Sequence, residues 1–319
     1  MPKYKVLVSP NTLLPVFDNY KSILEENNIE VIIPPPFNEF LSESELLPLI
    51  SEIDGAICGD DQFTKKVFRN AKKLKVLSKW GEGLNAIDIE AAKSSNVKVF
   101  RTAGALTTPV ADSVMAYILA FARNIVNKDS SMKQGEWRKF PSVTLKESVL
   151  GIIGLGKIGG AVAKRAKSFG MKIIANDIRE ISIENINDTG IETVSFDQIL
   201  KRSDFISLNC DLNDSSYRII GEKELNEMKN NCILINTARG KLIDELALIN
   251  SLKNNIIAGA ALDVFEKEPL PKNNELRKLE NCLLSAHNSN ASPAVFDYIH
   301  RKTIDNLFKG LGIKELNIL

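Results

Sequence analysis

Histidine is scarce in this 319-residue chain, which has only His287 and His300. Side-chain chemistry that needs a group titrating near neutrality must use one of them. Cysteine is also rare. Cys58, Cys210, Cys232 and Cys282 are scattered, with no C-x-x-C pair. That spacing argues against a disulfide framework or a metal site, and no metal is expected. Each cysteine lies in or beside an apolar run, so buried free thiols in a reducing compartment are expected. Net charge is nearly absent. Forty-one Lys and Arg against 40 Asp and Glu leave +1, with no pull toward nucleic acid or an anionic membrane. Long apolar runs are missing too. The most apolar long segment, residues 110–122, contains Asp112 and is too short to span a bilayer. The opening MPKYKVLVSP has no signal-peptide core. A cytoplasmic protein is the expectation.

What is present fits two α/β domains. The chain is 44% hydrophobic and 25% charged, as globular proteins are. Residues 1–100 alternate short apolar runs (4–8, 29–33, 55–58, 75–78, 97–100) with helical patterns at 17–26 and 43–52, the latter flawed by Pro48. Strands alternating with helices imply a parallel sheet. From Thr107 the pattern changes. Val110, Val114, Tyr117, Ile118 and Phe121 form an apolar stripe, which predicts one long helix starting at Pro109 and running to about Asn127. Strands are expected next at 149–153, 171–175, 205–209, 232–236, 257–263 and 282–286, with a last helix over about 293–309.

The chain is organised around SVLGIIGLGKIGGAVAKRAKSFGMKIIANDIR, residues 148–179. An apolar strand leads into Gly154, Gly156 and Gly159 in the spacing G-x-G-x-x-G. A helix-patterned segment, a second strand and Asp177 follow. Each part has a physical task. Gly154 permits a tight turn, Gly156 lets backbone approach a pyrophosphate, and Gly159 lets helix and strand pack closely. The N-terminus of the helix patterned over residues 160–169 offers free amides and the positive end of a dipole. Asp177, 18 residues beyond Gly159, suits the two ribose hydroxyls of an adenosine and repels a 2′-phosphate. NAD is therefore the expected cofactor. Arg179 is the one residue nearby that suits a 2′-phosphate.

In open parallel sheets ligands bind beyond the carboxyl ends of the strands. Three strands of the second half end in polar residues. Thr237-Ala238-Arg239-Gly240 follows one, Asp263-Val264-Phe265-Glu266-Lys267-Glu268-Pro269 the next, and His287 the last. An arginine fork can hold a carboxylate or polarise a ketone. A histidine can give or take the hydroxyl proton, and a carboxylate beside it orients the ring and favours its charged form. Cys210, also at a strand end, is open to two readings, a cofactor contact or a buried structural thiol. For His300, inside the apolar stretch FDYIHRKTIDNLF, packing or a subunit contact is expected.

With these residues in view, the sequence resembles the D-isomer-specific 2-hydroxyacid dehydrogenases, the phosphoglycerate dehydrogenase-like group. The landmarks are KWGEGLNAID (79–88), TTPVADSVMAYILAFAR (107–123), GIIGLGKIGG (151–160), NTARG (236–240), ALDVFEKEP (261–269) and SAH (285–287). The resemblance implies a doubly wound Rossmann NAD-binding domain over 101–287, inserted into a flavodoxin-like substrate domain formed by 1–100 and completed by 288–319. It implies hydride transfer between a D-2-hydroxy acid and a 2-keto acid, with Arg239, Glu268 and His287 as the catalytic set. Gly154, Gly156, Lys157, Ile158, Gly159, Asp177, Ile178, Cys210, Thr237, Ala238 and Asp263 would meet the cofactor. Lys79, Glu82, Gly83 and Arg239 would meet the substrate. A homodimer built partly on 101–150 is also implied. Two departures bear on substrate identity. The family's G-V-G loop reads Gly81-Glu82-Gly83, and Asn288-Ser289-Asn290 follows the histidine in place of a small apolar pair. Glu82 is either a solvated loop-tip carboxylate or a reader of a polar substrate tail. Two other functions fit parts of this pattern. An idle NAD-sensing protein on this scaffold is disfavoured by the intact Arg–Glu–His set. A formate-type oxidation is disfavoured because those enzymes carry glutamine where Glu268 stands.

Overall fold

The computed structural model describes residues 3–181, 186 and 188–314. Residues 1–2 and 315–319, the outer ends of the expected substrate domain, lie outside the described residues. The chain divides into two compact units, Met1–Leu106 with Ala291–Leu319, and Thr107–Asn290. The resemblance implied bounds at 100 and 287.

The first unit holds a parallel sheet of five strands: β1 (Tyr4–Val8), β2 (Ile29–Ile32), β3 (Gly55–Cys58), β4 (Val76–Lys79) and β5 (Lys98–Arg101), in the order β2-β1-β3-β4-β5. β3 and β4 are buried along their whole length, as expected of strands covered on both faces and read from continuous apolar runs. One face packs on Leu46, Ile50 and Phe68 from the short helices and on Phe63 from the loop before one of them, and the other on the helix Pro293–Leu311 through Ile304, Leu307 and Phe308. The helix Glu43–Ile50 forms despite Pro48. A Ser42–Glu45 capping box fixes its first turn, and it ends two residues after the proline.

The second unit holds seven parallel strands: β6 (Val149–Ile153), β7 (Lys172–Asn176), β8 (Glu192–Thr193), β9 (Phe205–Leu208), β10 (Ile233–Asn236), β11 (Gly259–Leu262) and β12 (Cys282–Leu284), in the order β12-β11-β10-β9-β6-β7-β8. The order reverses between β6 and β9, which makes the topological switch point. The two-residue β8 carries no sequence signal of its own. The two sheets together make the α/β, doubly wound parallel architecture that the pattern implied.

One expectation needs correcting. The single helix over 109–127 is two. The first, Thr107–Ala122, ends before Asn124, whose φ of 52° is left-handed, and a second runs over Ile125–Lys133, bent by 59° from it. The apolar stripe ends at Phe121, so nothing in Arg123-Asn124 holds the helix to the core beyond it. Pro109 is the third helical residue and not the first. Among the described residues no single helix is long and apolar enough to cross a membrane.

Candidate active site

The glycine turn links β6 to the helix Lys157–Ser168. Gly154 has a φ of +90°, and a Cβ there would lie 2.6 Å from the amide of Cys210. Backbone conformation and close approach to the end of β9 both require glycine. The helix starts at Gly156 with no side-chain cap. The amides of Lys157, Ile158 and Gly159 donate to no acceptor among the described residues, and a Cβ on Gly156 would meet nothing nearer than Arg179 Nη2 at 3.7 Å. Uncapped amides beside an open backbone face are what a pyrophosphate requires. The residues present therefore fit a dinucleotide. Beside the turn, Asn209 Oδ1 is buried without a partner among the described residues.

Asp177 closes this turn from the end of β7. Its Oδ2 accepts the amide of Leu155 at 2.7 Å, and its Oδ1 accepts the amide of Arg179 at 2.8 Å, with Arg179 Nε 3.4 Å away. Burial pushes the carboxyl up, but the two amides and the guanidinium outweigh it and hold it below the ordinary aspartate range. Ile178 is exposed. Cys210 is half-buried, and burial raises its thiol to about 11, so it is not a thiolate nucleophile.

Three further strand ends meet at the carboxyl edge of β10, β11 and β12, which are neighbours in the sheet. After β10 the side chain of Asn236 folds the turn. Its Nδ2 donates to Arg239 O and its Oδ1 accepts from Ala238 N, at 2.9 and 3.0 Å. Thr237, Ala238 and Arg239 are half-buried on that turn, and Arg239 Nη1 donates to Ala238 O at 2.6 Å. After β11 Asp263 is 1% exposed. Its carboxylate accepts the amides of Asn288 and Ser289 at 2.8 and 2.9 Å, and its carbonyl accepts the amide of His287 at 2.8 Å. These bonds hold His287 in a left-handed conformation, φ 50°, that a non-glycine residue seldom adopts. Glu268 completes the arrangement. One oxygen accepts the amide of Phe265 at 2.9 Å, and the other lies 2.8 Å from His287 Nδ1. The carboxylate thereby orients the ring, an arrangement that can serve a proton donor.

In the first unit, Lys79 ends β4 as a buried cation. Its Nζ donates to Trp80 O at 2.8 Å and pairs with Asp60 at 3.1 Å. The Gly81 peptide is locked by Thr102. The Thr102 hydroxyl accepts Gly81 N at 2.9 Å, and Gly81 O accepts Thr102 N at 3.0 Å. The Glu82 carboxylate accepts the amide of Gly104 in a short bond, and Arg101 Nη1 donates to Glu82 O at 3.3 Å. Glu82 is thus half-buried and tied inward, not solvated at a loop tip. The amides of Glu82 and Gly83 donate to no acceptor among the described residues. Trp80 Nε1 donates to His300 Nδ1 at 3.0 Å, so His300 is a packed residue of the first unit.

The structure pairs Glu268 with His287 and sets Arg239 on the turn after the neighbouring strand β10, but what holds them was not legible in the sequence. The capping by Asp263, the turn made by Asn236 and the Glu82–Gly104 bond are long-range or local hydrogen bonds without a motif of their own. Only Asn236, an Asx residue before a turn, carried a readable signal.

Comparison with known proteins places this geometry. Residues 115–289 match the family model for the D-isomer specific 2-hydroxyacid dehydrogenase NAD-binding domain. The chain is 45% identical over 257 residues to a glyoxylate reductase of Thermococcus litoralis, covering 77% of each chain. It is 37% identical over 282 residues to a hydroxypyruvate reductase of Thermotoga maritima, covering 86% of this chain and 90% of that one. Among solved structures, a glyoxylate reductase from Paecilomyes thermophila superposes with a TM-score of 0.82 at 27% identity, covering 98% of this chain and 96% of that one. The chain belongs to the D-isomer specific 2-hydroxyacid dehydrogenase family, and is an NAD-dependent enzyme of that family.

Proposed function

We propose that the protein interconverts a D-2-hydroxy acid and a 2-keto acid, with His287 as the acid/base, Glu268 as its partner and Arg239 as the grip on the substrate. The observation that carries this reading is the 2.8 Å pair between His287 Nδ1 and Glu268 Oε2 at the ends of adjacent strands. NAD supplies or accepts the hydride when bound. In reduction, His287 gives its Nε2 proton to the carbonyl oxygen as the carbonyl carbon gains the hydride. Glu268 keeps the ring charged and aligned until then. In oxidation the neutral ring takes the hydroxyl proton. Arg239 offers paired donors to the carboxylate and the carbonyl oxygen, a match of planar fork to planar anion that lysine lacks. In the first unit, the Glu82 and Gly83 amides are proposed to hold a carboxylate oxygen.

The named relatives make glyoxylate and hydroxypyruvate the first substrates to test. Lys79 is already neutralised by Asp60, and Glu82 adds negative charge to the same segment. A phosphorylated tail would find no excess positive charge there. The test is NADH consumption with glyoxylate, hydroxypyruvate, pyruvate and 3-phosphohydroxypyruvate. Turnover of either of the first two, with none of the phosphorylated acid, is expected. NADH binding with no turnover on any of them would favour an NAD-sensing role instead. Asp177 should make NADH bind about a hundredfold more tightly than NADPH by fluorescence titration, and equal affinities would remove it as the selector. The homodimer is proposed to use the exposed apolar residues Ile125, Val126, Met132 and Trp137. The free thiols suit a cytoplasmic setting.

A further inference from the structure

Arg218 adopts a left-handed backbone conformation, φ 49°, with no glycine's freedom to make it cheap. It precedes Ile220, which bridges Ile243 in parallel, and its own amide donates to Lys241 O at 2.9 Å. Ile220 N donates to Leu242 O, and Asp244 N donates to Ile220 O. Residues 218–220 are thereby stitched alongside 241–244, the segment that leaves Arg239 and Gly240.

The side chain reaches further. Arg218 Nη1 donates to Asp244 Oδ2 at 2.9 Å, and Nη2 donates to Glu266 Oε1 at 3.1 Å. Glu266 lies two residues before Glu268. A Cβ added to Gly240 would fall 1.9 Å from the carbonyl carbon of Phe265, so the two turns touch backbone to backbone there. Glu245 strengthens the same seam, accepting Glu266 N at 3.2 Å and Asn274 Nδ2 at 2.7 Å. The guanidinium therefore ties together the two segments that carry Arg239 and Glu268, from outside the pair itself.

We infer that Arg218 is a positioning residue for the reaction, a fork that keeps the Arg239 turn and the Glu268 turn in fixed register. Strain of this kind persists where neighbouring interactions over-determine it and is concentrated near functional sites. The inference rests on the roles proposed for Arg239, Glu268 and His287. Two substitutions separate stability from catalysis. Arg218→Gly removes the guanidinium but also relieves the left-handed strain. Arg218→Gln removes the charge and keeps the strain.

The experiment measures Tm, NADH affinity, and kcat and KM for glyoxylate across pH for Arg218→Gly, Arg218→Gln, Arg218→Lys, Glu266→Gln, the Arg218→Gln/Glu266→Gln double variant and His287→Ala. Both Gly and Gln variants should lose about threefold to tenfold in kcat/KM, the scale of a partly exposed ion-pair link. The alkaline limb of reduction, where His287 loses its proton, should move to lower pH as Glu268 loosens from His287. Lysine should rescue in part, because a point charge cannot serve both acids. The double variant should be no worse than the poorer single one. NADH affinity should not change. Kinetics that follow Tm, with glycine behaving like wild type and no pH shift, would overturn the inference and leave Arg218 a structural ion pair. An inactive His287→Ala beside normal Arg218 variants would sink only this inference. An active His287→Ala would sink the catalytic reading beneath it.

Discussion

The surroundings of the two histidines are a controlled comparison inside one molecule. His287 stands at the end of β12 on a left-handed backbone, with a carboxylate oxygen at 2.8 Å and its side chain 34% exposed. His300 lies in the helix Pro293–Leu311, is 3% exposed, and takes the indole N–H of Trp80 on Nδ1, with the rings of Tyr20 and Phe296 about it. Burial pulls His300 down to about 4, with Asp297 opposing only in part. One ring faces a carboxylate and the other is held neutral by burial. Burial with no carboxylate in hydrogen-bond contact favours the neutral form of His300. The sharpest way to break the comparison is His287→Ala. Turnover of a 2-keto acid should fall about a thousandfold, the worth of a positioned acid, while fluorescence titration shows NADH still bound. Near-normal turnover would mean that the two histidines do not differ in function.

Glu268→Gln tests the carboxylate itself. The amide can still accept the Phe265 N–H, so the loop should keep its shape. Without a negative neighbour the imidazolium is favoured less, and the protonated fraction at neutral pH falls. Reduction should lose about tenfold at pH 7 and recover toward lower pH. A pH profile superimposable on the wild type would show that Glu268 only shapes the turn.

The G-x-G-x-x-G turn and the strand ends were legible in the sequence because their chemistry is local. A glycine spacing, an apolar run and the residue after it lie within a few positions of one another. The support was not legible because it is distant in sequence. Asp263 reaches Asn288 and Ser289, Thr102 reaches Gly81, and Trp80 reaches His300 across 220 residues. The break at Asn124 was missed for another reason. Helical periodicity reports which face is buried, not where the chain turns left-handed.

His300 offers an effect on stability where His287 offers one on rate. Its folded value of about 4 lies below its ordinary 6.5, so the unfolded chain takes the proton first. The stability this contributes is fully present above about pH 6.5 and is lost as pH falls toward 4. His300→Gln keeps a neutral acceptor for Trp80 and removes the titration. Between pH 7 and pH 5, wild type should lose on the order of 2 kcal/mol more than the variant in urea unfolding. Parallel loss in both proteins would place the acid sensitivity elsewhere, in the carboxylates.

The smallest effect is expected at Glu82, the loop residue that Trp80 and His300 support. If its carboxylate read a substrate tail, Glu82→Val would improve small apolar-tailed acids such as pyruvate and weaken polar ones. The geometry points the other way. The carboxylate is already engaged by the amide of Gly104, and the residue's carbonyl by Arg101. These contacts fix the peptide that carries the Glu82 and Gly83 amides. Glu82→Val should therefore raise KM by about threefold for every acid in a panel, the scale of one hydrogen bond partly replaced by water, and leave their ranking alone. Glu82→Gln, which keeps an acceptor oxygen for Gly104, should lie closer to wild type. A reordered panel with Glu82→Val, unmatched by any uniform rise in KM, would return Glu82 to the role of tail reader. It would also show that the support around His300 does not end at the loop but includes a residue that meets the substrate.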